Sequence, residues 1–366
     1  MKKRIILILF AVFTGATGLF GQITKYNVNK IFYPSYQQEE KTPVTFPKVA
    51  GFYVLVCDFH THTMFSDGLV WPDYRVAEAW SDGLDALAIT DHIEYLPHKQ
   101  YLNSNHNTSF EIAKAAAEKL GFMLVKGTEI TRKQATLGHF NALFIKDANA
   151  IALEDPKASI QEAKNQGAFV VWNHPGWAVD STYFKEFQED LLKNKLFDGI
   201  EVYNSNEFYP RALSWAIDKN ITVLATSDVH GTIDDKALAN ECARRPATLV
   251  LAKERSLEGI KEALFAGRTL AFFHNSIAGK ESLAHEFVNA CIIPEKLSSN
   301  DKNTTWLLKN DGDIVFNFSI GKTTYLLPAK SGITISLPVN STSVLMKFNN
   351  IFIYENATLA HDLQLK

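Results

Sequence analysis

The chain has 366 residues, enough for one barrel-sized domain with an appendage or for two ordinary domains, and its 46% hydrophobic content supports a sizeable core and excludes a disordered class. The formal net charge is −3. A mildly acidic body lacks the basic face that a nucleic-acid backbone requires, so no nucleic-acid partner is expected, while small phosphorylated substrates stay open because bound metal ions would supply positive charge.

In chain order, the first segment reads as a secretion signal. Lys2, Lys3 and Arg4 form a basic start, IILILFAVF an apolar middle, and TGATG and FG a small-residue stretch suited to cleavage near Gly18 or Gly21. The competing reading, an uncleaved anchor, needs a longer apolar run. Removal of residues 1–21 takes away three positive charges and leaves −6, and places the mature protein outside the cytoplasm, periplasmic or secreted, with no stable membrane span. Residues 22–50 form a polar, aromatic arm.

From residue 52 onward, short apolar runs alternate with helical patterns. Seven strand candidates occur at 52–59, 84–90, 122–130, 139–145, 168–174, 197–203 and 221–227. Amphipathic stretches such as 109–121 and 158–167 lie between them, each ending at a glycine suited to a helix C-terminus. The alternation predicts parallel strands joined by helices, and seven repeats suggest a barrel or a strongly curled sheet. A further β-like run at 246–251, a helix at 256–267 and a strand at 268–273 close a domain assigned to 51–280. Residues 285–366 read as a small antiparallel β module of unassigned partner, with Asn310, Asp311 and Gly312 favouring a hairpin. The three cysteines show no metal spacing. Cys57 reads as a small core residue, and a disulfide between Cys242 and Cys291 stays open.

The chemistry lies where the histidines fall. Six of the eleven sit at the ends of predicted strands. Residues i and i+2 of a strand share a face, which pairs His60 with His62, in line with Asp58, and Asp228 with His230. His92 and Glu129 end the second and third runs, His139 opens the fourth and His174 ends the fifth, and the carboxyl ends of parallel barrel strands share one mouth. With Asp67 these make nine candidate ligands, more than one catalytic ion needs, and imidazole with carboxylate suits zinc, manganese or iron. For Asp67 the competing reading is a plain turn residue before Gly68. Glu201 reads as a partner of the ligands or as a barrel-interior charge, and Asp91 or Glu94 as a group orienting a ligand or moving a proton.

The segments HTHTMFSDG, AITDHIEY, KGTEIT, GHFNALF, WNHPG and TSDVHG resemble, in order and spacing, the motif series of the PHP (polymerase and histidinol phosphatase) family across residues 52–275. The resemblance implies a distorted seven-stranded (β/α) barrel with three divalent metal ions. His60, His62, Glu129 and Asp228 would hold the first; Glu129 would bridge to a second completed by His139 and His174; Asp67, His92 and His230 would hold a third. His60, His62, Glu129, Asp228 and His230 would carry catalysis, by a metal-bridged hydroxide attacking a phosphate ester. Position alone suggests Arg132, Lys133, Asn173 and Trp177 as substrate contacts, against a solvated loop for the first two and core packing for Trp177. Arg211, Arg244 and Arg245 are weaker phosphate candidates. The expected activity is that of an exported phosphoesterase acting on a small phosphorylated substrate, leaning to diesters because no Arg/Lys cluster is visible to grip a dianion. The alternatives are a phosphomonoesterase of the same family, an amidohydrolase-like C–N or ester hydrolase, and a non-catalytic binding module.

Overall fold

The computed structural model describes residues 41–179, 182–233 and 245–365. The signal, most of the arm, Cys242 and Arg244 lie outside them.

The barrel strands are β1 (Tyr53–Asp58), β2 (Ala86–Ile89), β3 (Met123–Ile130), β4 (His139–Leu143), β5 (Phe169–Asn173), β6 (Gly199–Asn204), the two-residue β7 (Glu207–Phe208) and β8 (Thr222–Thr226). Helices α1 (Pro72–Ser81), α2 (Thr108–Leu120), α3 (Pro156–Asn165), α4 (Glu186–Lys193) and α5 (Pro210–Asp218) lie between them. Local chemistry sets the helix ends. The Asp155 carboxylate accepts the Ala158 N–H at 2.7 Å at the start of α3, with Pro156 at the first helical position. Gly121 (φ +62°) and Gly167 (φ +81°) take the left-handed conformation just past α2 and α3.

β1, β2 and β3 are parallel, as are β5, β6 and β8, but β4 runs antiparallel to both β3 and β5. An all-parallel barrel is therefore not what forms. The link from Ile130 to His139 holds only eight residues and no helix, and a parallel return needs a crossover of a dozen or more. The reversal has a consequence for the site: the first residue of β4, His139, pairs with Asn173, the last residue of β5.

β9 (Ala247–Ala252) and β10 (Thr269–Phe273), joined by α6 (Leu257–Phe265), extend the sheet antiparallel from β1. Closure between β1 and β8 is confined to the mouth, where the His62 N–H donates to Val229 O at 3.0 Å and the Asp228 N–H to His60 O at 2.9 Å. Lower down, hydroxyls of β9 and β10 replace the ladder: Thr248 Oγ1 donates to Ala225 O (2.9 Å) and Thr269 Oγ1 to Val223 O (2.6 Å). The barrel interior is filled by Leu55, Cys57, Ala86, Ala88, Val125, Phe169, Leu224 and their neighbours.

The C-terminal region comprises β11 (Ser276–Gly279), α7 (Glu281–Cys291), β12 (Ile292–Ser299), β13 (Asn303–Asn310), β14 (Phe316–Ile320), β15 (Thr323–Leu327), β16 (Gly332–Pro338), β17 (Ser343–Tyr354) and β18 (Ala357–Gln364). β12, β13 and β16 form a separate antiparallel sheet. β17 joins the barrel sheet by parallel pairing with β11, and itself pairs with β14 and β18. No hairpin forms at Asn310–Gly312, because β13 and β14 belong to different sheets. The buried Asn310 amide instead ties the corner, donating to Ile314 O (2.6 Å) and Pro328 O (2.9 Å) and accepting from the Gly312 N–H (2.9 Å). One apolar cluster runs through both regions, from Val54, Leu87 and Leu270 to Phe287, Phe316, Met346 and Phe348.

Phe316, fully buried against the Phe287 and Phe348 rings, tests that continuity. Phe316→Ala is expected to lower stability by about 3–5 kcal/mol, and calorimetry should show a single shifted transition. A second transition at the native temperature would mean that barrel and module melt independently.

Candidate metal centre

Every ligand candidate lies at the mouth of the barrel. His60 and His62 follow β1, His92 follows β2, Glu129 lies near the end of β3, His139 opens the reversed β4, His174 follows β5, and Asp228 and His230 follow β8. His174 (φ +24°) and Asp228 (φ +49°) adopt left-handed backbone that non-glycine residues rarely take. Each is held there. The His174 N–H donates to Glu201 Oε2 at 2.7 Å, and Ser227, next to Asp228, donates its N–H and Oγ–H to the Asp58 carboxylate at 3.1 and 2.5 Å.

Four groups converge at the centre. His60 Nε2 and His62 Nε2 are 3.1 Å apart; Glu129 Oε2 is 3.2 and 3.3 Å from them, and Asp228 Oδ1 3.2 and 3.1 Å. His60 presents a lone pair here, because its Nδ1 lies 2.8 Å from Glu201 Oε1 and donates its proton there. Asp228 Oδ1 is buried without a hydrogen bond of proper geometry to any group. Lone pairs packed this closely repel one another unless a cation sits among them. Metal–ligand bonds of about 2.0–2.1 Å in tetrahedral array place ligand atoms about 3.3 Å apart, close to these distances. The residues present therefore fit a divalent ion.

Two further groups adjoin. His139 Nδ1 is 3.1 Å and His174 Nε2 3.6 Å from Glu129 Oε1, the carboxylate oxygen turned away from His60. Asp67 Oδ2 is 3.3 Å from both His92 Nε2 and His230 Nε2, and His62 lies within reach of the same set. His230 is oriented by its Nδ1, 2.9 Å from Asp228 O, which frees Nε2. Asp67 lies in a tight loop as well as in a ligand group. A Cβ at Gly68 would come within 2.6 Å of Thr63 N, and Asp91 braces the loop by accepting from Thr63 N–H, Thr63 Oγ1 and Ser66 Oγ at 2.7, 2.7 and 2.8 Å.

The charge pattern agrees with the geometry. Burial works to lower the His60 pKa, yet Asp228, Glu201 and Glu129 raise it well above its ordinary value. Burial works to raise the Glu129 and Asp228 carboxyls, yet the surrounding histidines hold both well below the usual range. The site is built to keep its carboxylates ionised beside positive charge.

Supporting groups complete it. Glu201 is fully buried and saturated, receiving His60 Nδ1–H, the His174 N–H, Thr226 Oγ–H at 2.6 Å and Asn204 Nδ2–H at 2.9 Å. Asn173 is also fully buried, donating to Glu129 Oε1 at 3.0 Å and Asn141 Oδ1 at 2.9 Å; it orients Glu129 and does not line the cavity. Arg75, which belongs to no motif in the sequence, supports the ligands from α1. Its buried guanidinium donates to His62 O (3.2 Å), His230 O (3.2 Å) and Gly231 O (2.7 Å) and pairs with Glu78 at 2.5 Å, clamping two ligand-bearing loops together. An arginine on the buried face of an amphipathic helix was the only signal of it.

The other sequence candidates fall elsewhere. Arg132 is committed to Glu94 and to the carbonyls of Thr131, Leu153 and Glu154. Lys133 is exposed, its carbonyl capping a turn over 136–138. Neither lines the cavity. Arg245 is buried among Asp58, Glu78 and Asp82, so it is no phosphate contact, and it draws Asp58 away from the ligands. Arg211 pairs with Glu355. Trp177 does stand at the mouth, its ring 5.3 Å from that of His174 and 5.7 Å from that of His139. The cavity, about 520 Å³, is walled by the ligand residues other than the buried His60 and His62, together with Glu94, Tyr95, Thr131, Trp177 and residues 204–207. Cys57 and Cys291 are buried thiols.

Comparison with known proteins agrees with this geometry. The family model of the PHP domain matches residues 58–241. A solved two-domain protein of Bacteroides vulgatus, described as containing a predicted PHP-like metal-dependent phosphoesterase, is 38% identical, with a TM-score of 0.84 over 89% of this chain and 99% of its own. An uncharacterized protein of Methanocaldococcus jannaschii is 29% identical over 149 residues, 38% of this chain, and the chain spans 65% of its length.

Two substitutions test the support. Glu201→Gln removes the charge that fixes His60 and is expected to weaken metal binding about 10–100-fold in chelator competition; unchanged affinity would reduce Glu201 to a filler of the barrel. Arg75→Met leaves the carbonyls of His62, His230 and Gly231 without their donor and the buried Glu78 carboxylate with only Arg245 and the Ile233 N–H, and should cost about 3–5 kcal/mol in urea denaturation, whereas a loss below about 1 kcal/mol would show that the clamp holds nothing.

Proposed function

The chain belongs to the PHP domain family, and on that premise we propose that it is an exported phosphoesterase that binds three divalent ions, zinc, manganese or iron, and cleaves a small phosphate diester. The observation that carries this reading is the convergence of ligand groups from β1, β2, β3, β4, β5 and β8 on one mouth, in sets that share Glu129, His60, His62 and His174 between neighbouring positions. Shared ligands hold ions a few ångströms apart, the arrangement suited to phosphate ester hydrolysis. Ions bound there would supply an acidified water and positive charge for the phosphoryl oxygens.

The chain's own residues do the rest. His60, His62, Glu129 and Asp228 would hold the first ion, Glu129, His139 and His174 the second, and Asp67, His92 and His230 the third. Glu201 keeps the His60 lone pair aimed inward, and Asn173 keeps Glu129 turned so that its two oxygens serve different positions. Trp177 and Tyr95 stand beside the histidines at the mouth, their rings 5.3 Å from His174 and 6.0 Å from His92. Hydrolysis adds the water oxygen to phosphorus and releases the alcohol with a proton. The preference for diesters is supported by the cavity wall, which carries no Lys or Arg among the described residues to neutralise a second phosphate charge. Export rests on the basic and apolar start of the sequence.

The decisive experiment uses the chain without residues 1–21, loaded with manganese or zinc, on a nitrophenyl diester and the matching monoester. The diester should turn over faster, and His60→Ala,His62→Ala should abolish turnover. A faster monoester would reverse the preference. No turnover with metal bound would remove phosphoester hydrolysis and bring forward cleavage of a C–N bond.

A further inference from the structure

Part of the cavity wall has no role in holding metal. Trp177 stands on the turn after His174 and is 47% exposed, which leaves much of its ring open to a ligand. Asn204, Ser205, Asn206 and Glu207, at the corner between β6 and β7, line the same cavity. These two segments are built onto each other. Tyr209 is buried and donates its hydroxyl to Glu207 Oε2 at 2.5 Å. Its ring also packs against the Trp177 turn so closely that a Cβ at Gly176 would come within 2.7 Å of it. The Asn204 amide is pinned through Nδ2 to Glu201 and to Thr226 (3.3 Å), leaving its carbonyl oxygen for a ligand. The corner is therefore rigid before any substrate arrives, which lowers the cost of binding there.

Its chemistry is selective. It offers one flat indole face and a row of amide, hydroxyl and carboxylate groups, with no Lys or Arg among the described residues of the wall. A second phosphate or a carboxylate would meet the Glu207 charge. A plain alkyl group would cover the indole but strip water from Asn206 and Glu207 without replacing their hydrogen bonds. A quaternary ammonium favours several aromatic faces around one cation, and only Trp177 is presented at this corner. A ring with an apolar face and hydroxyls around its edge satisfies both halves.

We propose that Trp177, Asn204, Asn206 and Glu207 form the subsite for the alcohol half of the substrate, and that this alcohol is a neutral, hydroxyl-rich ring, a sugar or cyclic polyol. The assignment rests on the phosphoesterase reading, because it names the group esterified to the phosphate cleaved at the metal centre.

The test compares nitrophenyl phosphodiesters whose second alcohol is glucose, ethanol or choline, on the metal-loaded chain. The glucose ester should show a KM about tenfold below that of the ethyl ester, equivalent to one well-placed stacking and hydrogen-bonding contact. Trp177→Ala should erase most of that advantage and Trp177→Phe should keep part of it, with kcat changing less than KM. Equal KM values for glucose and ethanol would overturn the proposal, and preference for the choline ester would overturn it in favour of a cation site. Should none of the esters turn over, the phosphoesterase reading fails, and saturation-transfer NMR of methyl glucoside still decides the subsite. Transfer to the sugar protons that is lost in Trp177→Ala supports it, and absence of transfer from the native chain refutes it.

Discussion

The structure depends on one electrostatic constraint: several lone pairs and three carboxylates must be held within a few ångströms of one another, out of water. His60, His62, Glu129 and Asp228 bring their donor atoms to about 3.1–3.3 Å. Such a cluster is stable only with positive charge inside it and rigid support outside it. The support is visible in the hydrogen bonds. Glu201 receives four donors, Asp91 three from the Asp67 loop, and Asp58 is satisfied by Ser227 and Arg245. The buried polar residues behind the ligands are thus one connected frame, in which each carboxylate holds a ligand or the loop that carries it.

The departures of the barrel from regularity serve the same constraint. Reversing β4 brings its first residue, His139, to the end of the barrel where the other strands finish. Closing β1 against β8 only at the mouth places the backbone of His60 and His62 directly against that of Asp228 and Val229. Below the mouth, where no ligand is needed, threonine hydroxyls take over from backbone pairing. The left-handed conformations of His174 and Asp228 concentrate strain at ligand positions, and the surrounding bonds sustain it.

The C-terminal module is bound into the barrel by a shared sheet and a shared apolar cluster. α7 packs against β10 and β11, while β17 extends their sheet by pairing with the edge of β11. Its contribution to the centre is indirect, through the stability of the strands that flank β1.

The sequence by itself determined the strand–helix alternation, the β-rich C-terminal region and the set of histidines and carboxylates at strand ends, because period and chemistry are local properties that survive without coordinates. It did not determine the direction of β4, since an apolar run of five residues reads the same in both senses and only the short link betrays it. It suggested a hairpin at Asn310–Gly312, where the buried Asn310 amide instead bonds the nearby Ile314 O and the more distant Pro328 O. Arg132, Lys133 and Asn173 looked like substrate contacts because they neighbour ligands in the chain, but Arg132 and Lys133 lie in the loop after β3, where Arg132 is held by Glu94 and three carbonyls and Lys133 is exposed, and Asn173 at the end of β5 turns into the frame behind Glu129. The roles of Arg75 and Glu201 were decided by tertiary structure alone. Each acts through partners far away in the chain, and only folding sets the distances on which a hydrogen bond or a charge pair depends.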